Sequence, residues 1–180
     1  IVISRRSLDP YHEKLSEIVC DFDRLDEAVL NKPCDFAFCT LGTTRKQAGG
    51  LSGVRIVDRD YVLAFARLAK RTGVATFVVV SSIGASAKAG GFLKIKAEME
   101  AGLKEMSFER LIIVRPPLMH GPREQFRLGE TLGYKMLNLG RPLLKGFTRA
   151  YLPVHTSQVA RAMLSCAFDS YPGVRVVNSQ

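Results

Sequence analysis

Residues 76–82, TFVVVSS, decide the fold. Five residues without a charge, three of them valine, run into two serines. A run this short, with no alternate polar face, reads as a strand buried on both sides. Outward from it the pattern switches to a helical period. Upstream, Val57, Tyr61, Ala64, Phe65 and Leu68 form one stripe, predicting an amphipathic helix over about 55–71 with Gly73 just past its end. Downstream, Phe92, Ile95, Met99, Leu103 and Met106 form the next stripe, and RLIIVRPP (110–117) is a second apolar strand stopped by prolines.

The alternation continues to both ends. IVIS (1–4), EIVC (17–20) and DFAFCT (35–40) read as strands, ended by SRR, DFDR and LGTT. A helix is expected near 124–139, a short strand in YLPVH (151–155), a helix over 157–168 and a last strand at 173–178. Buried strands separated by helices predict an α/β chain, a Rossmann-like doubly wound parallel sheet. No repeat or linker interrupts it. Residues 1–180 are expected to form a single domain, with a small substrate-side region at about 116–155.

Composition fits: 180 residues, 47% hydrophobic and 24% charged, suffice for one core. No apolar run approaches the ~20 residues of a membrane span. IVISRRSLDP puts charge where a secretory signal keeps its apolar stretch. Cys20, Cys34, Cys39 and Cys166 lack metal-ligand spacing, so no metal is expected and all four read as reduced core residues of a cytoplasmic protein. Net charge is +9, and residues 91–180 carry 13 Lys/Arg against 7 Asp/Glu. Such a surface attracts phosphates and suggests an anionic small molecule. Nucleic acid is disfavoured, because no helix-turn-helix, RNA-recognition or zinc signature is present and the chain has no Trp.

Ligands of open parallel sheets bind at the carboxyl ends of the strands. After the first strand stand Arg5 and Arg6. The second strand of a Rossmann fold ends at the adenine ribose, where arginine grips a 2′-phosphate through paired charge-assisted hydrogen bonds. NADP is therefore expected in preference to NAD. Asp21 and Phe22 follow the next strand. They bracket an adenine, or Asp21 caps a helix starting near Asp23. Leu41, Gly42, Thr43 and Thr44 end the third, where a glycine admits a ligand to the backbone and hydroxyls bond ribose or phosphate.

Taken together, CTLGTTRKQAG, VDRDYVLAFARLAKRTGVATFVVVSSIGAS, FLKIKAEME, RPPLMHGPR and LPVHTSQVARAM resemble the Tat-interactive-protein-like oxidoreductases, atypical members of the short-chain dehydrogenase/reductase superfamily. The resemblance runs from Ile1 to about Ala167. It implies an NADP-binding Rossmann fold, with Arg5 and Arg6 at the 2′-phosphate, Gly42 and Thr43 along the cofactor, and Pro116, Pro117, Leu118 and Met119 near the nicotinamide.

Two departures from that pattern stand out. The family opens with a strand and a GxxGxxG turn, which nothing before Ile1 supplies; Gly49, Gly50, Gly53, Gly84, Gly90 and Gly91 do not read as its strand-turn-helix. The strands at 1–4 and 35–40 are then not neighbours, and the natural protein is expected to carry roughly 25–35 further N-terminal residues, one βα unit. The second departure is chemical. The superfamily uses Ser with YxxxK. Ser81, Ser82 and Lys96 are in place, but Phe92 stands four residues before Lys96. Phe92 also fits the apolar stripe. His120 is the best substitute proton donor, Tyr134 and Tyr151 weaker ones; His155 reads as a cap or packing residue, and Arg115 as structural or anion-binding. The expectation is an NADP-dependent oxidoreductase on a small carbonyl-type substrate. The alternative is a non-catalytic NADP(H)-sensing or protein-binding module. A homodimer through the helices near 55–71 and 91–106 is the analogy-based expectation.

Overall fold

The computed structural model describes residues 1–8, 12–30, 32–121 and 152–178. Parallel strands are flanked by helices. β1 (Val2–Ser4) pairs with β2 (Glu17–Val19), and a 3₁₀ turn (Phe22–Glu27) follows. β3 (Phe36–Cys39) leads through a loop to α1 (Leu51–Arg55), which widens into a π-helical turn (Ile56–Asp60) and continues as α2 (Tyr61–Arg71). Next come β4 (Thr76–Val80), α3 (Gly91–Glu105), β5 (Arg110–Arg115), β6 (Met119–His120), β7 (Val154–His155), α4 (Thr156–Phe168) and β8 (Gly173–Asn178).

The main sheet has the order β3-β4-β5-β8, all parallel. Its period-2 pattern sorts the side chains. Phe77, Val79, Leu111 and Ile113 face α2 and α3, where Val62, Ala66, Met99 and Leu103 meet them. Val78, Val80, Ile112 and Val114 face α4, against Val159, Met163 and Ala167. Every residue of β4 is buried, as the continuous apolar run predicts. A fully buried Phe77 or Leu111 contributes about 1.5–3 kcal/mol. A third cluster joins Ala64 and Leu68 of α2 to Phe22 and Leu25, with Ile3 of β1 beside it. Thus α2 underlies both sheets.

β1 and β3 do not pair. Between them lies a cavity of about 460 Å³ lined by Ile1, Val2 and Ile3 on one side and by Phe36, Ala37 and Phe38 on the other. The expectation that these strands are not hydrogen-bonded neighbours therefore holds.

Other expectations shift. The long helix starts at Leu51 rather than near 55, because Gly50, at φ 135°, turns the chain into it. Gly49 (φ 70°) precedes it, so these glycines do open a helix, although from a loop and not directly from a strand. Strand β6 was not foreseen, and YLPVH contributes only Val154–His155 to β7. The helix expected near 124–139, most of the substrate-side region, and Tyr134 and Tyr151 lie outside the described residues. All four cysteines are free thiols, but only Cys39 is fully buried; Cys20, Cys34 and Cys166 are half-buried and pack against the core clusters from their edges. Among the described residues no helix is long and apolar enough to cross a membrane.

Candidate functional site

The site is assembled at the carboxyl ends of β3, β4 and β5. Two acidic residues organise it, and both sit on apolar helix faces. Asp58 comes from the π-helical turn and is 1% exposed. One of its oxygens lies 2.8 Å from the Lys96 ammonium, and the other accepts the Thr43 N–H at 2.9 Å. Lys96, from α3, is also buried. It approaches the Val80 carbonyl at 3.4 Å, and its ammonium stands 5.6 Å from the centre of the Phe92 ring. Gly42 runs so close that an added Cβ would lie 3.2 Å from the Asp58 carboxylate. A side chain there would press on the carboxylate.

Glu100, the second acid, is one turn beyond Lys96 on α3 and equally buried. It accepts the Ser81 hydroxyl at 2.5 Å and a two-pronged bond from Arg115, at 2.8 and 2.5 Å. The carboxylate holds the Arg115 guanidinium above its ordinary pKa. Ser81 and Arg115 thus bolt the ends of β4 and β5 to α3, and of the two readings of Arg115 this is the structural one. Ser82 is half-buried, with its hydroxyl at 3.3 Å from the Ile83 carbonyl.

At the end of β1, Arg5 and Arg6 are exposed. The Arg5 guanidinium lies 5.9 Å from the Phe22 ring centre, and Phe22 is buried edge-on to Tyr61 at 5.7 Å. Phe22 is therefore a packing residue of the third cluster and offers no open shelf for a base. Asp21 accepts the Asp23 N–H at 3.0 Å, which makes it the cap of the 3₁₀ turn. Tyr61 donates its O–H to Asp23 at 2.5 Å, and this bond with partial burial pushes the phenol up to about 12. Leu41 is half-buried, Gly42 exposed, and Thr44 shares a hydrogen bond with Gln47.

Beyond β5, Pro116 and Pro117 are buried and Leu118 is exposed. With Arg115, Val154, Gln158 and Val159 the two prolines line a cavity of about 240 Å³. His120 pairs edge-to-face with His155 at 5.2 Å. His155 caps α4, accepting the Ser157 N–H at 3.2 Å while Gln158 returns a bond to its backbone, so the capping reading of His155 is correct.

The structure thus brings Lys96, Phe92 and the Thr43 loop together through Asp58, and gathers Ser81 and Arg115 on Glu100. His120 sits with His155 on the β6–β7 pair. Phe92 is half-buried beneath Lys96 and outside the core cluster that holds Met99 and Leu103. Asp58 and Glu100 were missed at the sequence level. Their signal was an acid on each helix's apolar stripe: Asp58 lies four residues from both Val54 and Val62, and Glu100 adjoins Met99.

A doubly wound parallel sheet with serine at the end of β4 and a buried lysine on the following helix defines a nucleotide-binding Rossmann protein of the short-chain dehydrogenase/reductase type. No protein-family model matches the chain. Protein HTATIP2 of Rattus norvegicus is 40% identical over 171 residues, 91% of this chain and 68% of that protein. Protein FMP52, mitochondrial, of Eremothecium gossypii is 37% identical over 149 residues, 81% and 66% of the two chains. The chain belongs to the atypical short-chain dehydrogenase/reductase family of these proteins and spans about two thirds of their length. Among solved structures, MoeE5 in complex with UDP-glucuronic acid and NAD superposes with a TM-score of 0.69 at 18% identity, covering 98% of this chain and 66% of that one. It shares the fold. The cytoplasmic location expected from composition is overturned by the fungal relatives, several of which are named as mitochondrial.

Proposed function

We propose that the chain is the NADP-binding body of an oxidoreductase acting on a small, anionic carbonyl compound, through a Ser-Tyr-Lys site whose tyrosine is replaced by Phe92. The observation that carries the cofactor reading is the pair of exposed guanidinium groups, Arg5 and Arg6, at the carboxyl end of β1. They suit a 2′-phosphate. The exposed, side-chain-free Gly42 suits the close passage of a dinucleotide past Leu41, Thr43 and Thr44. In this reading Pro116, Pro117 and Leu118 border the nicotinamide, and Lys96 faces its ribose. When bound, the nicotinamide supplies hydride. Ser82 orients the substrate oxygen. Ser81 has its proton committed to Glu100, so its contribution is to hold the strand end. Phe92 has no proton to give, and His120 is the proposed donor.

A second reading is favoured by the same Phe92: a non-catalytic module that binds NADP(H) and reports it to a protein partner. One experiment separates the two. NADPH and NADH are titrated into the protein, and the complex is then mixed with a panel of aldehydes, ketones and quinones while dihydronicotinamide absorbance is followed. Binding with oxidation selects the enzyme. Tight binding without oxidation selects the sensor. Absence of binding to either nucleotide rejects both.

A further inference from the structure

We propose that Asp58 is the positioning residue of this site: its single buried carboxylate couples the Lys96 ammonium to the loop after β3, so that the lysine and the loop meet a dinucleotide as one unit. The inference rests on the reading that these strand ends hold a dinucleotide.

Three observations carry it. First, both carboxylate oxygens are spent on different elements, one on Lys96 of α3 at 2.8 Å and one on the Thr43 N–H at 2.9 Å. Neutralising the lysine would need only the first. Second, the backbone is shaped for the contact on both sides. Asp58 lies in a π-helical turn inserted between two α-helical segments, a form that costs hydrogen-bond geometry and collects at functional positions. Opposite it, Gly42 approaches so closely that a Cβ would sit 3.2 Å from the carboxylate. Third, the pair is nearly dry, with side chains 4% and 1% exposed. A buried charge whose partner moves is left uncompensated, so Lys96 and Thr43 cannot shift independently without a large penalty. Of the three donors on the ammonium, one is held by Asp58 and one approaches Val80, which leaves one for an incoming hydroxyl.

The test uses Asp58→Asn, Lys96→Met and the double variant, with two readouts. The first is NADPH and NADH affinity by calorimetric titration. Each single variant is expected to bind about tenfold more weakly, the size of one lost charge-assisted hydrogen bond. The double variant is expected to lose far less than the product of the two, because both break the same unit. Losses that multiply, in a wild type that binds, overturn this inference alone. A wild type that binds neither nucleotide overturns the role in binding together with the reading it rests on. The second readout needs no ligand: amide hydrogen exchange at Thr43. Lys96→Met alters no loop residue, yet it is expected to speed that exchange several-fold; unchanged exchange overturns the coupling. The double variant carries no unpaired buried charge, and it stands in if a single variant fails to fold. Its Thr43 amide must likewise exchange faster than in the wild type, and equal rates overturn the proposal.

Discussion

The Lys96 ammonium stands 5.6 Å from the centre of the Phe92 ring, one turn earlier on α3. In the proposed enzyme reading the ring takes the place of a proton donor and presents its π-face to the charge. In that reading the contact keeps the i, i+4 spacing of a Tyr-Lys pair without its acid. Phe92→Tyr adds one oxygen to a half-buried ring and leaves Asp58, Lys96 and Ser82 where they are. If the proposed enzyme reading is correct, NADPH-dependent reduction of a carbonyl substrate rises by roughly 10²–10⁴ in this variant, the usual contribution of a general acid. Stopped-flow absorbance in single turnover measures it. An unchanged rate with unchanged NADPH binding would remove Phe92 as the limiting defect.

Glu100 holds the ends of two strands from one helix. Its carboxylate is 3% exposed, and it satisfies Ser81 and Arg115 together. Removing the charge leaves the Arg115 guanidinium, 24% exposed, without its partner. Glu100→Gln is expected to lower unfolding stability by about 3–5 kcal/mol, the cost of breaking a buried pair from one side. Ser81→Ala, which deletes a single hydrogen bond, costs about 1 kcal/mol. Urea denaturation followed by circular dichroism distinguishes them; equal small losses would show that Glu100 is not the bolt.

The fold was legible because buried parallel strands leave continuous apolar runs. Thr76–Val80 and Arg110–Arg115 stand where TFVVVSS and RLIIVRPP placed them. The helix start at Leu51 was not legible: Gly49 and Gly50 take positive φ to open it, and no apolar stripe marks that turn. The site was half legible. Ser81 and Lys96 could be located by motif spacing, but their partners depend on how α2 and α3 face each other. A helical period records a lone acid on an apolar stripe as a blemish. Only packing across residues 58 and 96 turns it into an ion pair.

Burial pushes the Cys39 thiol up to about 11, so almost none of it is thiolate near neutrality. Cys39 is 3% exposed, and its chemistry depends on opening the sheet. A water-soluble thiol reagent at pH 8 is expected to modify no more than the three half-buried cysteines of the native protein, and all four in denaturant. Mass mapping of the labelled peptides identifies them. Rapid native labelling of Cys39 would contradict the packing of β3 against α2.

Tyr61 makes a pH-dependent contribution whose sign follows from its bond to Asp23. The phenol rises from its ordinary 10.0 to about 12 because the neutral form donates to a carboxylate in the folded state. Its stabilising effect is therefore complete below pH 10 and is lost as pH climbs from about 10 to about 12. Tyr61→Phe is expected to be less stable than the wild type at pH 7–9 and to converge with it as pH approaches about 12. Chemical denaturation across this range tests the convergence; a constant offset at every pH would show that the hydroxyl does not titrate with folding.

Arg5 and Arg6 differ in what else they touch, and that difference makes nucleotide preference testable. Arg5 lies 5.9 Å from the Phe22 ring, a contact worth about 0.5–1 kcal/mol in stability, whereas Arg6 is exposed with no aromatic partner among the described residues. A 2′-phosphate is recognised by the planar fork of guanidinium, which a lysine cannot reproduce. Arg6→Lys therefore keeps the charge and removes the fork while sparing the Arg5–Phe22 contact. NADPH affinity is expected to fall roughly tenfold with NADH affinity nearly unchanged. The double Arg5→Ala, Arg6→Ala variant is expected to bind the two nucleotides about equally, and its thermal midpoint falls through the lost contact with Phe22. Titration calorimetry with both nucleotides gives the ratio directly. Parallel loss of NADPH and NADH affinity would mean that the arginines act through general attraction to phosphate, and the preference for NADP would have to be abandoned.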